Sequence, residues 1–203
     1  MPQIDFDGAN SLVKTDKIQG QGGTTVTVPT GHTVAITDAD RLTIAGTAVK
    51  AGALGKVVQM VNVMDGAVGT GTTTIPCDNT IPQNTEGDEL FTLAITPTNS
   101  SNKLLIEVVV SMGASLATHN TIALFQDSTA GAIAVVSHYH TAGNAHCEHS
   151  LAHYMTAGTT SSTTFKIRGG GHNAGTFTFN GASAAAHFGG VLAYSITITE
   201  IAV

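Results

Sequence analysis

Apolar pairs recur at a fixed step near the start of the chain. In residues 24–47, TTVTVPTGHTVAITDADRLTIAGT, the pairs are Val26 and Val28, Val34 and Ile36, then Leu42 and Ile44, with a step of eight residues from one pair to the next. Turn-forming residues separate them: Pro29, Thr30 and Gly31, then Asp38, Ala39 and Asp40. That period is too short for a helical repeat and fits a short strand, a turn and another short strand. One such strip has too few apolar groups for a core of its own. Three copies around a threefold axis would pool these six side chains as a trimer core, and a meander packed on the chain's own C-terminal part is the alternative. Ahead of the strip, Ile4, Phe6, Leu12, Val13 and Ile18 are sparse anchors between Gly8, Gly20, Gly22 and Gly23. Such a segment reads as an arm that gains order on docking to a partner.

Beyond residue 55 the pattern predicts a succession of strands: 56–64, 89–96, 103–111, 120–126, 132–139, 147–155, 163–168, 175–179 and 190–202. They are rich in β-branched residues, and Gly, Asn, Ser, Asp or Pro punctuates nearly every gap. In the last, Leu192, Tyr194, Ile196 and Ile198 alternate with Ser195, Thr197 and Thr199. No long window shows a helical period, and Ala-rich pieces such as 182–187 are the only modest helix candidates. The expected fold is all-β: an N-terminal arm and β-repeat collar at 1–50, then a jelly-roll-like β-sandwich knob at 51–203, assembled as a homotrimer.

Composition sharpens the expectation of assembly. Only 11% of the 203 residues are charged and the formal net charge is -6, against about 25% charged residues in ordinary soluble chains. A lone subunit would expose a large, weakly polar surface, which favours burial between copies. The eight Lys and Arg residues are scattered, which argues against nucleic acid as a partner. No apolar run reaches the ~20 residues that span a bilayer, so no membrane partner is expected. The acidic N-terminus does not read as a secretion signal, and folding in a cytoplasm is expected. Cys77 and Cys147 are isolated, and read as small, mostly buried thiols.

The histidines are the chemical oddity, densest in HYHTAGNAHCEHSLAH at 138–153. His138 and His140 share one face of a strand, and so do His149 and His153. Histidines on adjacent strands suit a divalent metal, and these four are the candidate ligands for a structural ion held by several subunits. Neutral histidines in a subunit interface or on an outer sheet are the plainer reading. The HxH pattern also resembles cupins. Gly131 falls where that motif has a glycine, but Glu148 comes too late after His140, and only His172 or His187 is left as a further ligand. No serine, cysteine or paired-carboxylate signature supports an enzyme. GGGH at 169–172 lacks the residues of a phosphate loop and reads as a turn between strands.

Residues 7–33, DGANSLVKTDKIQGQGGTTVTVPTGHT, resemble the N-terminal segment of short structural proteins of tailed phages. The closing LAYSITITEIAV (192–203) is similar to the last strand of C-terminal domains on phage tail-fibre-like proteins, and KVVQMVNVM and TPTNSSNKLLIEVVVSMG echo the same domain. The resemblance implies a trimeric virion component without catalytic residues or cofactor, assembled in the host cytoplasm: a tail fibre, a head fibre or a capsid decoration (cement) protein. The short strip at 24–47 is no shaft, which favours decoration. Ile4, Phe6, Leu12 and Ile18 would then anchor the chain to the major capsid protein or other virion proteins. A short tail-fibre tip that binds host glycans is the alternative, and a cupin-like metal-binding protein the second.

Overall fold

The computed structural model describes residues 43–44, 47–48 and 56–203. The chain divides into two compact units, Met1–Lys50 and Ala51–Val203. In the first, the described residues form a two-stranded antiparallel ribbon of β1 (Thr43–Ile44) and β2 (Thr47–Ala48). Ile4, Phe6, Leu12, Ile18, Val26, Val28, Val34, Ile36 and Leu42 lie outside the described residues. Ile44 belongs to β1, and only its strand pairing is described.

The second unit is all-β. Its strands are β3 (Val57–Asp65), β4 (Gly69–Gly71), β5 (Asp88–Ile95), β6 (Lys103–Ala114), β7 (Thr118–Gln126), β8 (Ala134–His140), β9 (His146–Thr156), β10 (Thr163–Gly171), β11 (Phe177–Phe179), β12 (Gly181–Ala182), β13 (Ala185–Ala186) and β14 (Tyr194–Ile201). One antiparallel sheet runs β5-β10-β7-β8. The other runs β3-β14-β6, with β9 along the opposite edge of β6 and β11 and β4 continuing beyond β14. Strands β3-β14-β6-β9 against β5-β10-β7-β8 is the strand order of a jelly roll.

Alternation along the strands builds the core between the sheets. In β6 the residues Leu104, Ile106, Val108, Val110 and Met112 are buried, as are Ile196 and Ile198 of β14. They meet Ile122 and Leu124 of β7 and Phe165 and Ile167 of β10 in one apolar cluster. This is the period-2 signature of strands with one face inward.

Two local expectations fail. The Ala-rich stretch 182–187 is a hairpin, not a helix: Ser183 and Ala184 both have positive φ, 52° and 61°, and form the two-residue turn between β12 and β13. The glycines at 169–171 lie inside β10 rather than in a turn. A Cβ on Gly171 would come within 2.3 Å of the Phe177 ring, so the strand has no side chain where neighbouring groups press against it.

The outer faces of the two sheets differ. Residues 72–87 cross the outside of the four-stranded sheet, where Ile75, Ala123 and Phe125 form a second small core. Ile75 donates its N–H to the Gly171 carbonyl at 2.9 Å, and Asp88 accepts from the backbone N–H groups of Thr72 and Thr73. On the other sheet the outward rows are Met60–Thr199–Leu105–Tyr154, Asn62–Thr197–Glu107–Ala152 and Met64–Ser195–Val109–Ser150. Glu107 is the only charged residue in these three central rows, and Lys103 and Glu148 occupy the outward positions that flank them. Met60, Met64 and Tyr154 are more than half exposed.

Glu200 closes one end of the sandwich. It is fully buried and accepts hydrogen bonds from Asn102 Nδ2 and Gln59 Nε2, both at 2.6 Å, and from the N–H and hydroxyl of Thr98. Burial alone would raise its pKa, but these donors outweigh burial and hold the carboxyl down to about 2. A folded pKa below the ordinary 4.5 gives stabilisation that is complete above that value and fades as pH falls toward 2. Glu200→Ala leaves several buried donors without a partner. We expect it to lower stability at pH 7 by about 2–3 kcal/mol in urea titrations, and to flatten the loss of stability below pH 4.5 relative to the unsubstituted protein.

Candidate functional site

The histidine-rich segment forms a corner between the sheets. β8 ends the four-stranded sheet, β9 edges the six-stranded sheet, and residues 141–145 carry the chain from one to the other. This crossing is pinned against the β6–β7 turn. Asn144, at φ 61°, donates its N–H to the Ala114 carbonyl at 2.7 Å, and a Cβ on Gly143 would come within 2.4 Å of the Ser115 carbonyl oxygen. The last residue of β8, His140, is therefore held beside the first residues of β9.

Strand alternation sends His138 and His140 inward from β8, and Cys147 and His149 inward from β9. On β7, Thr118 and Asn120 share the inward face with Ile122 and lie opposite His140 and His138. Toward Ile122, Leu124 and Leu151 the interior is apolar; at the corner it is polar. His140, His149, Thr118 and Asn120 are all buried.

The hydrogen bonds fix the imidazole tautomers, because a carbonyl can only accept. His140 donates Nδ1–H to the Ala145 carbonyl at 3.0 Å, and His149 donates Nε2–H to the Asn120 carbonyl at 3.1 Å. The remaining nitrogens, His140 Nε2 and His149 Nδ1, carry lone pairs, and both lie near one sulfur. His140 Nε2 is 2.9 Å from Cys147 Sγ and accepts its S–H; His149 Nδ1 is 3.9 Å from the same atom. The three atoms lie within 4.8 Å of one another. Burial pushes the Cys147 thiol up. Burial, reinforced by the nearby His138 and His140, pushes His149 down to about 4.

Of the four histidines named from the sequence, His140 and His149 meet at this cluster. His138 is exposed, with its ring edge-on to His149 at 4.9 Å between centroids. His153 lies opposite Ile106, one alternation beyond Leu151, and is not among the three clustered residues. Cys147, expected as a small, mostly buried thiol, is half-buried and is the third member of the cluster. Its spacing two residues before His149 was the available signal. Cys77, expected to be mostly buried, is exposed on the segment over the outer sheet, and its backbone N–H donates to His172 Nδ1 at 3.0 Å.

No protein-family model matches the chain, and no curated protein matches it. Among solved structures, the C-terminal domain of EclA, a sugar-binding protein, aligns at 13% identity and TM-score 0.33 over 58% of this chain and 76% of that one. The Eiger TNF of S. frugiperda aligns at 9% identity and TM-score 0.38 over 70% and 93%. Tailspike protein 4 of bacteriophage CBA120 aligns at 14% identity and TM-score 0.27 over 63% of this chain and 19% of that one. Among the described residues, no helix is long and apolar enough to cross a membrane.

His149→Ala would remove the partner of a buried carbonyl and open a hole beside Leu151. We expect a loss of about 2–3 kcal/mol by chemical denaturation with the fold retained. Exposed His138→Ala should change stability by less than about 0.5 kcal/mol.

Proposed function

We propose that the chain is a non-enzymatic structural protein of a bacteriophage particle, a homotrimeric capsid decoration (cement) or head-fibre protein. The observation that carries this reading is the outer face of the six-stranded sheet, where, among the described residues, Met60, Met64 and Tyr154 are more than half exposed. The molecule covers the outside of its other sheet with its own residues 72–87, whereas Met60, Met64, Leu105, Val109 and Tyr154 stand outward with Glu107 as the one charge among their rows. A surface of that kind fits burial against further copies of the chain. The low charge of the whole sequence and its likeness in style to tailed-phage structural proteins support the same reading. Residues 1–50 would attach to the major capsid protein, and the sandwich would project outward. Stabilisation would come from apolar burial and from strand addition at exposed edges such as β3.

A second reading rests on a groove of about 370 Å³ lined by Ile75, Pro82, Val135, Asp78, Thr80 and Ser137. Its mixed apolar and hydroxyl lining suits a short tail-fibre tip that holds a host glycan. Saturable glycan binding by the full chain, abolished by Asp78→Ala, would favour this second reading over decoration.

Sedimentation at micromolar concentration should give a species of three chains. Met60→Glu with Met64→Glu should convert it to folded monomers, because both side chains are mostly exposed in the single chain and would become buried between copies. A stable monomer of the unsubstituted protein would overturn the trimer. Deleting residues 1–23 should abolish association with phage particles that lack the protein, and retained binding would contradict the anchoring role.

A further inference from the structure

We propose that His140, Cys147 and His149 bind a transition-metal ion of the zinc type at the corner where the chain passes between the sheets. The inference stands apart from the virion reading, which requires no metal. Imidazole nitrogen and thiolate sulfur are the donors that zinc prefers, at about 2.0–2.1 Å and 2.3 Å. Tetrahedral bonds of those lengths separate two nitrogens, or a nitrogen and a sulfur, by about 3.3–3.6 Å. Here Cys147 Sγ lies 2.9 Å from His140 Nε2 and 3.9 Å from His149 Nδ1, and all three donors fall within 4.8 Å. Side-chain rotations that open the shorter separation and close the longer ones would bring the three donors to those distances.

The orientation of the rings is the stronger argument. Each histidine gives its N–H to a backbone carbonyl, Ala145 for His140 and Asn120 for His149. The remaining lone pair of each is thereby directed toward Cys147. Metal-ligating histidines are held in this manner, with the far nitrogen fixed by a carbonyl or carboxylate. Placing these polar groups in a core opposes folding unless they have partners. Beside them, both amide atoms of the fully buried Asn120 lack a hydrogen-bond partner, so the polar interior at this corner is not accounted for by protein contacts alone.

Access is also present. A shallow groove of about 280 Å³, bordered by His138, Tyr139 and Ala145, reaches His140 and Cys147 from the surface. The fourth position would fall to His138 or to water. On binding, the thiol gives up its proton to solvent and the sulfur lone pair forms the metal bond, so uptake weakens as pH falls.

The test uses the full chain, reduced and stripped of metal, with Co²⁺ as the spectroscopic probe and Zn²⁺ as its competitor. The expected result is one ion per chain and a thiolate-to-cobalt charge-transfer band that Zn²⁺ removes. Cys147→Ser should lose the band, His140→Gln should weaken binding by more than about tenfold, and His153→Gln should leave both unchanged. Should Cys147→Ser fail to fold, Cys77→Ser supplies a second readout: Zn²⁺ should slow alkylation of its remaining thiol. Absence of the band in the unsubstituted protein, wild-type affinity in His140→Gln, or alkylation indifferent to Zn²⁺ would overturn the proposal.

Discussion

Two packed sheets present four faces, and packing them together buries only two. The inward faces are filled by alternating residues of β6, β14, β7 and β10, which leaves each sheet with an outer face that must be covered or made polar. The four-stranded sheet is covered from within the chain. Ile75 descends onto Ala123 and Phe125, and the segment carrying it is tied down by Gly171 and Asp88. Among the described residues the outer face of the six-stranded sheet has no comparable second core, and its outward strand positions carry only Lys103, Glu107 and Glu148 as charges.

The interior is not uniform along the strands. Its middle is aliphatic and aromatic, and two polar sites lie at its margins. At one, Glu200 is held as an anion by Gln59, Thr98 and Asn102. At the other, His140, Cys147 and His149 are arranged by carbonyls of the loop and of β7. Each site joins segments distant in sequence, so each fixes how the strands lie against one another as well as what the margin can bind. The corner site depends on the tight crossing at 141–145, because only a chain pinned to Ala114 and Ser115 brings the end of β8 to the start of β9.

Much of the sandwich was legible in the sequence because β-branched residues alternate in its long strands. The predicted 103–111, 120–126 and 147–155 lie within β6, β7 and β9, and of the one-face set Leu192, Tyr194, Ile196 and Ile198 the last three lie in β14, with Ile196 and Ile198 buried. Errors arose where local composition and tertiary surroundings disagree. Alanine favours helix in isolation, yet at 182–187 the positive φ of Ser183 and Ala184 makes a hairpin. Three consecutive glycines look like a turn until the Phe177 ring occupies the space a side chain would need. For the site, alternation placed His138 with His140 and His149 with His153, but it could not show which pairs face each other across two sheets. That depends on the crossing loop, and it joins Cys147 to the cluster in place of His153.

The central claim is that the outer face of the six-stranded sheet is covered by other copies of the chain. Hydroxyl-radical footprinting of the full chain across a dilution series tests it most directly, read at the Met60 and Met64 sulfurs. The account predicts slow oxidation of both at high concentration, accelerating together on dilution. Oxidation of both at one fast rate at every concentration would contradict it.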